Sequence, residues 1–240
     1  MNVLITGGAS GLGEAITRKL VAAAGAKIYF TYKRSEEKAR QLEHELPGVS
    51  AVYCDFTDDK SIGELTGRLT GWDIDVLVNN AYTGTFIDTY FHKTPPQDFL
   101  SAFSNNIMPA LAITQAALQL FRKKKGGRII TVLSAALVNT PPLGAASYVA
   151  NKAYLEAMTK VWATENIKFN ISANAVSPAF MPTAFTGAMD ERLVEQMLDS
   201  HPLKKFITPA EVAEAVAYLA SAPAHVNGIN MVLNAGAGLR

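Results

Sequence analysis

Tyr148 and Lys152 lie four positions apart in Ser147-Tyr148-Val149-Ala150-Asn151-Lys152-Ala153. At that spacing in a helix they share a face, one turn apart. A phenol near an ammonium suits acid–base work on a carbonyl: as hydride reaches the carbon, the oxygen needs a proton. An unperturbed phenol holds its proton up to a pH of about 10, and a neighbouring cation favours the phenolate. Bringing it to neutrality corresponds to roughly 4 kcal/mol, within reach of a partly desolvated site. Tyr-x-x-x-Lys is common as a plain surface pair, so its position decides. Here the pair follows the apolar run Thr131-Val132-Leu133, which ends in Ser134. Open α/β sheets bind ligands at the carboxyl ends of their strands. A hydroxyl there can hydrogen-bond a developing alkoxide.

A second constellation opens the chain. Thr6-Gly7-Gly8-Ala9-Ser10-Gly11-Leu12-Gly13 follows an apolar run and precedes a helical pattern. Glycines permit a tight turn and let backbone approach a pyrophosphate; the helix N-terminus adds unpaired N–H groups and a positive dipole end. The spacing is Gly-x-x-x-Gly-x-Gly rather than the usual G-x-G-x-x-G, but the physics is shared. Where an NAD site carries an acid about 20 residues after the glycines, this chain has Lys33 and then Arg34. Two cations suit a 2′-phosphate. NADPH is therefore the expected cofactor, with NAD as the alternative.

Short β-rich runs and amphipathic stretches must position these residues. Strands are predicted at 2–6, 27–32, 49–54, 75–79, 127–133, 170–176 and 229–233, with helices near 12–24, 35–46, 59–70, 97–123, 148–166 and 209–221. The continuous apolar strands fit parallel pairing covered on both faces. Repeated βα units predict a doubly wound parallel sheet of about seven strands, a Rossmann-like single domain over 1–240. The least regular segment, 178–208, reads as a lid over a substrate. With Leu143 it offers Phe180, Met181 and Phe185 as candidate apolar walls.

Composition sets the limits. Hydrophobic residues make up 49% and charged residues 18% of the chain, enough for a large core. The net charge of +1 points to neither nucleic acid nor an anionic membrane. The lone Cys54 sits in an apolar run and reads as a core thiol. No metal-ligand spacing is present. With no signal-like or membrane-spanning segment, a cytoplasmic location is expected.

Taken together the motifs resemble the short-chain dehydrogenase/reductase family over the whole chain. Thr6-Gly7, Gly11-Leu12-Gly13 and Ser10 between them resemble its TGxxxGxG cofactor turn. Asp55, with Phe56 beside it, falls where the family's acid contacts the adenine. Asn79-Asn80-Ala81-Tyr82 is similar to its NNAG motif, with Tyr82 in place of glycine. Ser177-Pro178-Ala179 and Thr183 resemble its PGxxxT segment around the nicotinamide, with alanine for glycine. The resemblance implies that Ser134, Tyr148 and Lys152 are the catalytic set. Tyr148 would be the general acid, Lys152 would hold the nicotinamide ribose and tune Tyr148, and Ser134 would position the carbonyl. Asn106 would link Lys152 through water to solvent.

Within the family, Gly127-Arg128-Ile129-Ile130-Thr131 is similar to 3-oxoacyl-[acyl-carrier-protein] reductases. The expected activity is NADPH-dependent reduction of a ketone, including a 3-oxoacyl thioester on acyl carrier protein. Dehydrogenation of a sugar, polyol or steroid alcohol is the alternative, and a non-catalytic dinucleotide sensor is another. Lys123, Lys124 and Lys125, with Lys160 and Lys168, form a candidate docking surface for an acidic carrier. The resemblance, with Leu111, Leu118, Leu155, Met158 and Trp162 as surplus apolar helix positions, predicts a homo-oligomer, tetramer or dimer.

Overall fold

The structure is a computed structural model that describes residues 1–22, 25–87, 89–183, 186–187 and 189–237. Seven parallel strands form one sheet: β1 (Asn2–Ile5), β2 (Lys27–Tyr32), β3 (Val49–Tyr53), β4 (Val76–Asn79), β5 (Gly127–Val132), β6 (Ile171–Pro178) and β7 (Asn230–Leu233). Their order across the sheet is β3-β2-β1-β4-β5-β6-β7. Seven α-helices are described: α1 (Gly11–Val21), α2 (Glu36–Glu45), α3 (Asp59–Trp72), α4 (Pro96–Lys124), α5 (Ala146–Asn166), α6 (Glu191–Ser200) and α7 (Pro209–Ser221). This is the expected single-domain, Rossmann-like α/β architecture.

The side-chain period of a strand sorts the core into two layers. Val3 and Ile5 of β1 and Val76 and Val78 of β4 point to one face, where residues of α1, α2 and α7 pack. Leu4 and Leu77, the residues between them, point to the other, against α3, α4 and α5. All six are fully buried. Both faces are thus covered, and that is why these strands read as unbroken apolar runs.

Strand order reverses beside β1, whose neighbours are β2 and β4. At such a switch point the loops from adjacent strands diverge and leave a crevice at the carboxyl edge. The β1–α1 turn, the loop after β4 and the loop after β5 all open there. α5 starts two residues earlier than the periodicity predicted, and β6 runs on to Pro178.

The segment 178–208 is a correction. It is not irregular throughout, because it contains α6. The signal was present in the sequence. Asp190 caps the helix by accepting a hydrogen bond from the Arg192 N–H at 2.8 Å, and Leu193, Val194, Met197 and Leu198 follow a helical repeat.

Candidate active site

The glycine turn is shaped by close approach. Gly7 has φ +67°, a region that favours glycine. A Cβ on Gly13 would lie 1.9 Å from the Gly7 carbonyl oxygen, so the first turn of α1 can sit on the preceding loop only without a side chain. Ser10, the N-cap of α1, makes no side-chain capping bond. The loop after β4 closes on the same turn: Asn80 Nδ2 donates to the Thr6 and Gly7 carbonyls at 2.9 and 3.2 Å. A backbone cradle at a helix N-terminus fits a dinucleotide pyrophosphate.

One cleft of about 510 Å³ runs from this turn to Ser134, Tyr148 and Lys152. All the expected cofactor residues line it except Arg34 and Asp55. Arg34 is exposed. Asp55 pairs with Lys33 at 2.6 Å and accepts hydrogen bonds from Thr57 N and Oγ1 at 2.8 and 2.7 Å. The Lys33 contact, with the Thr57 bonds, holds its carboxyl down to about 2. Lys33 therefore faces the cleft with its charge largely compensated.

β5 and α5 bring the acid–base residues together. Ser134 directly follows Leu133 beyond β5, and its Oγ accepts from Ala136 N at 3.2 Å. Ser134 also hydrogen-bonds Tyr148. Lys152 Nζ donates to the Val132 carbonyl at 2.7 Å and lies 5.7 Å from the centre of the Tyr148 ring. Both side chains are buried. Burial pushes the Tyr148 phenol up to about 12, against the lowering effect of Ser134. Burial likewise pulls the Lys152 ammonium down to about 8. Desolvation thus outweighs the expected lowering of Tyr148.

Other expected residues sort as follows. Asn106 is buried but does not line the cleft. Its Oδ1 accepts from Thr83 N at 2.6 Å, and its Nδ2 donates to the Thr83 and Ala102 carbonyls. The side chain ties α4 to the loop after β4. Phe180 and Met181 line the cleft. Leu143 does not: it is 74% exposed, and Pro142 next to it takes that place. Phe185 lies outside the described residues. Phe86, Met197, His201 and Phe206 also line the cleft. Met197 belongs to the apolar repeat of 178–208, but nothing in the spacing of the other three announced them, since such residues join a site only through the fold.

The lysines expected to form a docking surface lie away from the glycine turn. Lys124 pairs with Asp73 and Asp75 at 2.9 and 2.7 Å, beside the amino ends of β4 and β5. The run Lys123–Lys125 therefore stands at the opposite edge of the sheet from Ser134. Along α4 it is about 25 Å from Asn106. Lys160 pairs with Glu156 at 3.8 Å, and Lys168 lies over Phe169. Among the described residues no group of three or more metal-ligating side chains occurs, and no helix is long and apolar enough to cross a membrane.

Residues 7–238 match the sequence family described as enoyl-(acyl carrier protein) reductase. The 3-oxoacyl-[acyl-carrier-protein] reductase MabA of Mycobacterium tuberculosis is 32% identical over 242 residues, covering 99% of this chain and 93% of the relative. The 3-oxoacyl-[acyl-carrier-protein] reductase FabG of Thermotoga maritima is 35% identical over 224 residues, covering 91% of this chain and 89% of the relative. The fold matches a crystal structure of 3-ketoacyl-(acyl-carrier-protein) reductase from Brucella melitensis complexed with NADH. That match has a TM-score of 0.88 at 24% identity and covers 99% of this chain and 98% of the other. This protein belongs to the short-chain dehydrogenase/reductase family of oxidoreductases.

Proposed function

We propose that the chain reduces a ketone to a secondary alcohol with NADPH, its substrate a 3-oxoacyl thioester carried on acyl carrier protein. The observation that carries this reading is the convergence of Ser134, Tyr148 and Lys152 on the cleft opened by the glycine turn. The dinucleotide supplies the hydride. Tyr148 gives its proton to the carbonyl oxygen, and Ser134 holds that oxygen in place. The Lys152 ammonium anchors the nicotinamide ribose and favours the phenolate that remains. The segment 178–208 covers the substrate, with Phe180 and Met181 as walls.

The substrate end of the cleft favours an acyl chain over a polyol. Phe86, Phe180, Met181 and Phe206 line it, an apolar surface that suits an acyl chain. A sensor would have no need of a buried lysine beside a buried phenol.

The test is NADPH consumption with acetoacetyl-acyl carrier protein and acetoacetyl-CoA, set beside polyol oxidation with NADP. Tyr148→Phe keeps the ring and removes the proton donor, so turnover is expected to fall by at least about 100-fold. Lys152→Ala should also weaken cofactor binding, and the two losses should not add. Near-native turnover by Tyr148→Phe would overturn the mechanism.

A further inference from the structure

Tyr82 stands where the family motif NNAG has glycine, and its ring enters the reaction centre. It meets the Tyr148 ring edge-on, with centroids 5.0 Å apart and planes at 75°. Asn151, buried on α5, donates from Nδ2 to the Tyr82 hydroxyl at 3.3 Å. The Lys152 ammonium lies 5.2 Å from the centre of the Tyr82 ring, nearer than to the centre of the Tyr148 ring. The ammonium's hydrogen-bond acceptor is the Val132 carbonyl. The groups facing it are thus a titratable phenol on its own helix, Tyr148, and a second phenol on the loop after β4. β5 contributes a backbone carbonyl, and Ser134 beyond it a neutral hydroxyl. A buried cation so placed draws much of its compensation from aromatic quadrupoles.

We propose that Tyr82 is a positioning residue of the reaction centre: pinned by Asn151, it lays its ring beside the Lys152 ammonium and edge-on to Tyr148, holding both groups for proton transfer. This rests on the roles proposed above for Tyr148 and Lys152. The loop after β4 and helix α5 are then coupled through one side chain. Tyr82 supplies in part the electrostatic support that a glycine could not.

The test reads the Lys152 charge directly. In the cofactor-free protein with isotope-labelled lysine side chains, NMR follows the Lys152 titration, assigned by its loss in Lys152→Met. Tyr82→Leu keeps apolar bulk but removes the quadrupole, and its midpoint should fall by roughly half to one pH unit. Tyr82→Phe keeps the quadrupole but loses the Asn151 bond, so its midpoint should fall by much less than that of Tyr82→Leu. With NADPH and acetoacetyl-CoA, the alkaline fall in the rate of reduction should move down by a similar amount in Tyr82→Leu. Asn151→Leu, which releases the ring, should move both readouts the same way by less. A merely structural wall would lower stability in Tyr82→Leu and leave the titration where it was. Coincident titrations of native and Tyr82→Leu protein overturn the inference. Loss of turnover in Tyr148→Phe alongside that coincidence leaves the proposed function standing, whereas retained turnover would sink that function instead.

Discussion

Lys152 shows what a buried charge costs this chain. The residue is 4% exposed, and burial lowers its ammonium from 10.5 to about 8. That drop corresponds to about 3 kcal/mol of strain on the folded state at neutral pH. Below about pH 8 both states hold the proton and the full penalty stands. As pH rises from about 8 to 10.5 the folded state releases its proton first, so stability rises. Lys152→Met fills the same space without charge and is expected to stabilise the fold by about 1–3 kcal/mol at pH 7, with the advantage fading by pH 10.5. Urea titrations at several pH values would show this; a less stable variant at pH 7 would refute it. Tyr148 works the other way. With its phenol pushed up from 10.0 to about 12, the unfolded chain ionises first and stability falls across that range. The cofactor preference also lies at this scale. Asp55 compensates Lys33, so the proposed discrimination for a 2′-phosphate would rest chiefly on Arg34. Arg34→Ala alone should remove most of the preference for NADPH over NADH, measured as the ratio of kcat/KM values. An unchanged ratio would return the role to Lys33.

Glycines make opposite demands in two helices. In α1, Gly13 is dictated by contact with Gly7. Gly13→Ala should destabilise by about 1–3 kcal/mol, as overpacking does, and should weaken NADPH binding by at least about 10-fold because the turn that cradles the phosphates must move. In α3, Gly63, Gly67 and Gly71 lie in the exposed half of the helix, and an added Cβ would meet nothing within 4 Å. There the glycines only cost backbone entropy, so Gly63→Ala and Gly67→Ala should each stabilise by about 0.5–1 kcal/mol. Thermal melts of the variants check both signs together. A neutral Gly13→Ala would mean that α1 can shift without harm. The α7 terminus shows the same local control: Thr208 and Glu211 form a reciprocal capping box, with Thr208 N donating to Glu211 Oε2 at 2.7 Å and Glu211 N donating to Thr208 Oγ1 at 3.2 Å. That pair was readable as a helix start.

At the scale of the molecule, the surplus apolar residues change identity. Leu155 and Trp162 are buried, while Leu111, Leu118 and Met158 pack against the core beneath α4 and α5. They are therefore not surplus. The same two helices instead expose Leu100 and Met108 on α4 at 56% and 53%, and Tyr154 and Val161 on α5 at 38% and 41%. These positions repeat at seven or eight residues, so each pair lies on one outer face. We propose that this face buries itself against a second copy. Light scattering at micromolar concentration is expected to give a multiple of the 25.8 kDa chain mass, and Met108→Glu with Val161→Glu should shift the population toward monomer. A native mass near that of one chain would refute it.

What the sequence by itself determined is whatever depends on near neighbours along the chain. The glycine turn, the Tyr148–Lys152 pair and the strand–helix alternation are set by local spacing, sterics and burial period, and all seven strands were legible for that reason. Helix α6 was legible too, but its short apolar repeat was masked by the proline-framed stretch around it. The tertiary structure decided the rest. Whether Lys33 is free depends on Asp55, which arrives from the next strand. Whether the lysine run faces the cleft depends on which edge of the sheet α4 reaches. Leu143 turns outward while Phe206 and His201 turn in, although nothing in their residue types separates them. Tyr82 was visible as a departure from a motif, but its place beside Lys152 and Tyr148 arises only where the loop after β4 meets α5. Such contacts join residues far apart in sequence, and their geometry is set by how helices pack on the sheet, which no local pattern encodes.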